Sequence, residues 1–378
     1  MGKELLLQAR GIRKEFPGVI ALDNVDLELY RGEVLALMGE NGAGKSTLIK
    51  IFNGVYSLDS GEILIDGQRV IIDGVQKAVK HGITAVHQEL NLIPYISVAE
   101  NIFLGRYPKD KFGTILWNKL FLQAQQILDD LGVPVKAQTE LYTLNTALQQ
   151  MVAISRAISS QCKVLVLDEP TSSLDDMEVR ALFNVIHKLK GRGVGIIFIT
   201  HRLNEIYQVS DRVTILKDGR LVGSYNTNEL TMEDLVNNMV GRKINNSIRN
   251  KGQRIFADDD YILKVSHIAR APKVRDVSFN VHRGEILGIT GLLGSGRSET
   301  AEVIFGCEEM DDGEMEYDGK KIDFMTPQKA VNMGMAFCTE DRRGKGIVAR
   351  MSVMNNIVLA SLKSISNGIV VNGKKRNE

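Results

Sequence analysis

The stretch GENGAGKST, residues 39–47, places Gly39, Gly42 and Gly44 ahead of Lys45, Ser46 and Thr47, with Glu40, Asn41 and Ala43 between the glycines. Glycines at this spacing let backbone N–H groups curl around phosphate oxygens, and a helix starting behind them adds positive potential. Lys45 would reach the β- and γ-phosphates of a nucleoside triphosphate, and the Ser46 hydroxyl would bind Mg²⁺. A second half of such a site lies in VLVLDEP, residues 164–170. Asp168 would hold the metal through water, and Glu169 would orient and deprotonate an attacking water. His201 closes a third apolar run, GIIFITH. A histidine at a strand end is commonly structural, but its order behind Lys45 and Asp168 makes it a candidate for contact with the γ-phosphate. No N/T-K-x-D guanine-reading motif follows the apolar runs, which favours ATP over GTP.

Such groups need rigid elements behind them. EVLALMG (33–39) reads as a buried strand feeding the loop, and STLIKIFNG (46–54) as the helix after it. KVLVLDEP (163–170) and GIIFITH (195–201) read as two more buried strands, and EVRALFNVIHKLK (178–190) has helical apolar spacing. Strands alternating with helices predict an α/β fold with a mainly parallel core sheet.

With 378 residues the chain is long enough for about two domains. Apolar residues make up 44% and charged residues 25%, and the net charge of +1 gives no global sign of a nucleic-acid or membrane-surface binder. The three cysteines, Cys162, Cys307 and Cys338, are scattered without metal or redox spacing, and are expected to be buried thiols in a reducing compartment. The apolar runs are too short to span a bilayer, and MGKELLLQAR has no signal-peptide stretch. The expectation is a cytosolic chain whose membrane role comes through a partner.

An internal repeat organises the sequence. YRGEVLALMGENGAGKST from Tyr30 aligns with HRGEILGITGLLGSGRSE from His282, DSGEILIDGQ from Asp59 with DDGEMEYDGK from Asp311, and GITAVHQE from Gly82 with GMAFCTED from Gly334. The three pairs share one offset, 252 residues. A constant offset marks a duplicated domain. SVAENI (97–102) and SVMNNI (352–357) sit 255 apart, so the second copy gains three residues near EDRRGKG. The expected organisation is a first domain over 1–240, a polar linker over 241–260, and the N-terminal part of a second domain over 261–378. In the second loop Gly291, Gly294 and Gly296 keep the spacing, but Arg297 stands where Lys45 stands in the first, followed by Ser298.

In order, the phosphate loop, Gln88, LDEP, SLD (173–175) and TH (200–201) resemble the motifs of an ATP-binding-cassette ATPase. The likeness is strongest to the tandem-cassette ATPases of bacterial monosaccharide importers of the ribose, xylose and galactose type. FPGVIALDNV, VHQELNLIPYISVAENIFLG, QQMVAISRAI and THRLNEIYQVSDRVTILKDG carry it, with GEILGITGLLGSGRSETAEVIFG and TEDRRGKGI in the second copy. Within that group the chain is most similar to the galactofuranose-type importer ATPase. The resemblance implies a P-loop cassette with an antiparallel β subdomain and a helical signature subdomain. It implies ATP and Mg²⁺ as ligands, Phe16 stacked on adenine, and Gln88 sensing the metal and the water. It implies Ser173 and Asp175 at a cassette–cassette seam. The implied partners are a transmembrane sugar permease docking near Gln88, through it an extracytoplasmic sugar-binding protein, and a second cassette or second copy, with no nucleic acid. The implied place is peripheral, on the cytoplasmic face of the inner membrane.

Two cassettes of this kind clamp ATP head to tail, each loop facing the other's signature. The first signature reads LNTALQQ (144–150), with Asn145, Thr146 and Ala147 where Ser-Gly-Gly is expected, and Glu340 replaces the second glutamine. Together with Arg297 these changes predict one degenerate site, although Arg297 could also be drift in a loop that still attracts phosphate. The signature partnering Lys45 is expected near residue 400, about 255 beyond the first. The sequence therefore reads as part of a longer chain. Two other functions stay open: a soluble tandem cassette acting on ribosomes or nucleic acid, and a non-catalytic regulatory relic. The linker's three consecutive Asp, 258–260, speak against the former.

Overall fold

The computed structural model describes residues 4–87, 90–172, 174–240, 260–291, 294–339, 342–367 and 370–374. Gln88, Ser173, Glu340 and all of the linker but Asp260 lie outside them. The chain divides into two units, Met1–Asn246 and Ser247–Glu378.

Unit 1 begins with β1 (Leu5–Phe16) and β2 (Val19–Tyr30), a hairpin turned at Pro17-Gly18. After β3 (Val34–Met38) and α1 (Lys45–Phe52) come β4 (Ser60–Ile65) and β5 (Gln68–Val70), which complete an antiparallel sheet of order β2-β1-β4-β5. The chain continues through α2 (Val75–Lys80), β6 (Ile83–Val86), α3 (Val98–Ile102), α4 (Trp117–Leu131), α5 (Thr146–Ile158), β7 (Val164–Asp168) and α6 (Asp176–Gly191). It closes with β8 (Gly195–Ile199), α7 (Leu203–Val209), β9 (Arg212–Lys217), β10 (Arg220–Asn226) and α8 (Met232–Val240). The central sheet has the order β10-β9-β3-β8-β7-β6 and is parallel except for β10. The α/β expectation holds, with the predicted strands and helices in place.

Every residue of β3 and β8 is buried, as strands covered on both faces must be. Alternate residues feed opposite cores. Leu165 and Leu167 of β7 pack with the helices α3 to α6, while Val164 and Val166 pack with α1 and the antiparallel sheet. α3, α4 and α5 form the helical subdomain, each with an apolar face on that first core.

Unit 2 repeats the antiparallel sheet. β11 (Tyr261–Arg270), β12 (Val274–His282), β13 (Asp312–Tyr317) and β14 (Lys320–Ile322) pair in the order β12-β11-β13-β14. α9 (Arg297–Phe305) follows the second loop, and α10 (Pro327–Asn332) and α11 (Val353–Val358) follow the sheet. The repeat reaches individual hydrogen bonds. In unit 1 the Asn101 amide accepts from Ile93 N–H and donates to the carbonyls of Ile93 and Ser97. Asn356 does the same with Val348 and Ser352, each partner shifted by 255.

Unit 2 departs from the repeat in one respect. GEILGIT, aligned with β3, forms no strand, and Ile286 and Ile289 are exposed at 98% and 52%. In unit 1 the equivalent β3 is paired on both sides, by β8 and β9. Among the described residues unit 2 has no strand in either place, so its backbone groups find no ladder. The thiol expectation also needs correction. Cys162 is half-buried against the helical core, but Cys307 and Cys338 are exposed, in a unit that carries only a small core.

Candidate functional site

The first loop hangs between β3 and α1. Gly39 takes φ 151°, and a Cβ there would lie 2.3 Å from the Leu216 carbonyl oxygen. Gly44, with φ 99°, starts α1 in the left-handed region, where a side chain is strained. Lys45 Nζ donates to the carbonyls of Gly39 (2.7 Å) and Glu40 (3.0 Å), tying the loop's two ends together. Burial lowers the Lys45 ammonium below the ordinary lysine range, with Glu169 and Asp168 pulling it back up. Glu40, Asn41, Gly42 and Ser46 are exposed, Thr47 is partly so, and Ala43 packs inward. The N–H groups of the first α1 turn have no intrahelical acceptor, so the loop presents a positive concavity.

The acids stand two strands away, at the carboxyl end of β7. Asp168 ends that strand, and burial, then Glu169, push its carboxyl above the ordinary aspartate range against the pull of His87, Lys45 and Lys50. Glu169 takes φ 48°, uncommon for a side-chain-bearing residue, and its N–H donates to the Ile199 carbonyl of β8 at 2.9 Å. The turn sets Glu169 Oε1 3.0 Å from His201 Nδ1. Lys45, Asp168, Glu169 and His201 thus meet at the carboxyl ends of the neighbouring strands β3, β8 and β7, the edge where open α/β sheets bind ligands.

Phe16, at the end of β1, meets Tyr56 edge to face, ring centroids 5.2 Å apart, with Lys14 Nζ 5.5 Å from its centroid. Tyr56 follows α1 and lies under Lys50, so Phe16 is tied to the helix that carries Lys45. Asn145 is the N-cap of α5: its oxygen accepts from Leu148 N–H and its amide donates to Glu178 at 3.0 Å. Ala147, one of the expected glycine positions, is buried in the helical core. Asp175 and Glu178 form a capping box at the start of α6.

In unit 2, Gly294 and Gly296 keep the left-handed backbone of Gly42 and Gly44, with φ 79° and 88° against 88° and 99°. Arg297 opens α9, exposed and without an ion-pair partner among the described residues, with Ser298 beside it and Gly291 near its aliphatic arm. Around it Lys273 pairs with Glu299, Lys345 with Glu302, and Arg270 with Asp311 and Glu308.

A separate groove in unit 1 runs beside the end of β6. Val55, Val75, Leu90, Leu92 and Leu104 line it, with His87, Arg106 and Arg156 at its polar margin. The buried Asn53 amide, one residue past α1, also lines it, and its Nδ2 has no hydrogen-bond partner among the described residues. His87, Lys50, Tyr56 and Asn53 carry no motif, and nothing in the sequence singles them out. Glu205 is the same: a buried carboxylate on α7 that accepts from Thr171 and Thr200. Among the described residues no helix is long and apolar enough to cross a membrane, and no group of three metal-ligating side chains forms.

The family model described as ABC transporter matches residues 22–172 and 274–376. The Ribose import ATP-binding protein RbsA 1 of Rubrobacter xylanophilus is 45% identical over 366 residues, 97% of this chain and 72% of that protein. A putative ribose/galactose/methyl galactoside import ATP-binding protein of Burkholderia lata is 43% identical over 361 residues, 96% of this chain and 68% of its own length. Among solved structures, cbiO1 from Clostridium perfringens, part of the cbiONQ complex, covers 63% of this chain and 95% of its own at TM-score 0.54 and 27% identity. A nucleotide-free ATP-binding cassette from an ABC transporter covers 65% of this chain and 98% of its own at TM-score 0.53 and 23% identity, a likeness of fold.

Proposed function

The chain belongs to the ABC transporter family, an ATP-binding and ATP-hydrolysing cassette, and from that premise we propose that it drives import of a monosaccharide through a membrane permease. The observation that supports hydrolysis best is the Glu169–His201 pair at 3.0 Å, set by a strained turn beside Lys45 and Asp168. The loop from Gly39 to Thr47 receives the triphosphate. Lys45 turns from the Gly39 and Glu40 carbonyls to the phosphates, where its desolvated charge is strongest. Phe16, braced by Tyr56, stacks on adenine. Glu169 takes a proton from the attacking water as its oxygen bonds to the γ-phosphorus and the bond to ADP breaks. His201 holds Glu169 and the γ-phosphate in line.

Mg²⁺ fits this residue set. One hydroxyl, Ser46, and one half-buried carboxylate, Asp168, are too few for a standing metal cage, as suits an ion that shares its shell with phosphates and water. Bound there, it would neutralise charge on the phosphates. Gln88, proposed beside it, is outside the described residues.

The groove along Val55, Val75, Leu90 and Leu104 suits an amphipathic helix of the permease, with Arg106 and Arg156 at its margin for acidic or carbonyl groups. It touches α1 through Asn53, so one short helix joins nucleotide and partner. Binding of ATP favours pairing with a second cassette or a second copy, and the permease follows as a population shift. Unit 2, with Arg297 for lysine, supplies the weaker loop. The place of work is the cytoplasmic face of the inner membrane, held there by the permease. The sugar itself is chosen by the permease and its binding protein.

The test is ATP binding and turnover with Lys45→Ala and Glu169→Gln beside the parent. Lys45→Ala is expected to lose binding, and Glu169→Gln to bind ATP as the parent does while losing turnover. Turnover unchanged in Glu169→Gln rejects the assignment.

A further inference from the structure

We infer that Glu205 is a positioning residue for hydrolysis, a buried clamp that holds the turn after Glu169 against the turn that carries His201. The inference rests on reading Glu169 and His201 as the hydrolytic pair. Glu205 lies in the first turn of α7 with only 5% of its surface exposed. Its Oε2 accepts from Thr171 Oγ1 at 2.8 Å and from Thr200 Oγ1 at 2.7 Å, both within buried surroundings. Thr171 stands two residues after Glu169 and Thr200 immediately before His201. One oxygen therefore links the residues that follow β7 and β8, two positions from Glu169 and one from His201.

The network closes on itself. The Thr200 hydroxyl also accepts from Arg202 N–H at 3.0 Å, and Arg202 reaches Glu205 Oε1 at 3.4 Å. Both threonines are buried, at 1% and 4%, so neither hydroxyl has water as an alternative acceptor. Removing the carboxylate would leave two buried donors unpaired, and the cheapest relief is for the two turns to separate. Glu169 is held to β8 by one backbone bond, to Ile199, and by its side-chain contact with His201. Separation would break the second of these. The turn after Glu169 also runs on to Leu174 and Asp175, the start of α6, so the clamp sets that helix end as well.

His201 Nδ1 lies 3.0 Å from Glu169 Oε1, and ring nitrogens respond to a neighbouring carboxylate, so ring ¹⁵N resonances of His201 in the full 378-residue chain read the clamp directly. In the parent, the Nδ1 signal is expected to be shifted by the Glu169 carboxylate oxygen 3.0 Å away. Glu205→Ala is expected to move that signal toward a free ring and to lower ATP turnover about 10- to 100-fold, with ATP affinity within about twofold. Thr171→Val and Thr200→Val, which keep side-chain shape, should each give part of the change and add nothing on top of Glu205→Ala. They carry the test if Glu205→Ala does not fold. Folded variants with the parental ring signal and parental turnover overturn the inference. If Glu169→Gln turns over normally, the catalytic reading fails, yet the ring signal still decides whether Glu205 sets the turn.

Discussion

Two glycines of the first loop separate steric from conformational demand. At Gly39 a Cβ would strike the Leu216 carbonyl, while at Gly42 nothing lies within 4 Å and only φ 88° opposes a side chain. Gly42→Ala should therefore cost about 1–2 kcal/mol of left-handed strain and bind ATP more weakly, whereas Gly39→Ala should displace the loop and abolish binding. Calorimetric titration with ATP distinguishes them. Asp168 gives a pH-dependent prediction. Its folded carboxyl titrates above the ordinary aspartate range, so the folded chain holds that proton to higher pH than the unfolded chain does. The group favours folding at low pH, and the contribution is lost as pH rises from the ordinary value through the raised one. Without nucleotide or metal, Asp168→Asn should raise the unfolding temperature at neutral pH, and the gain should shrink toward acid. A lower melting temperature at neutral pH would contradict this. The same change should remove Mg²⁺ dependence from ATP binding.

At the scale of elements, α5 shows how a signature can change without losing its helix. Asn145 supplies the cap a serine would supply, and its amide also engages Glu178 of the α6 capping box. Asn145→Ala should destabilise unit 1 by about 1 kcal/mol through the lost cap, measurable in thermal unfolding, while Asn145→Ser should restore most of it. Ala147 points into the core between the helices, so its methyl adds packing on the inner side of the helix. Only the exposed Asn145 and Thr146 then alter what this helix start offers a partner.

For the molecule as a whole, the two units differ in how much interior they build. Among the described residues unit 1 folds three hydrophobic clusters around its six-stranded sheet, while unit 2 has a small core under an antiparallel sheet. The cysteines report on this. Burial pushes the Cys162 thiol up to about 12, whereas Cys307 and Cys338 are exposed. A neutral thiol reagent should label Cys307 and Cys338 in the folded chain faster than the half-buried Cys162, and the difference should vanish in denaturant. Labelling of Cys162 as fast as Cys307 in the native chain would overturn that order.

Chemistry that acts locally is legible in the order of residues. A phosphate loop is a short continuous segment whose glycines, lysine and hydroxyl act through their own backbone, so GENGAGKST, the strand leading into it and the helix after it can be read from the sequence by itself. The repeat is legible for the same reason: a fixed offset survives in sequence, down to the Asn101 and Asn356 hydrogen bonds. Tertiary structure alone decides which distant groups meet. Glu205 joins Thr171 and Thr200, Tyr56 braces Phe16, and Asn53 opens into a groove because strands far apart in sequence are neighbours in the sheet. It alone decides, too, that residues 285–290 form no strand among the described residues. A strand's apolar residues are written in its own sequence, but its hydrogen bonds belong to its neighbours.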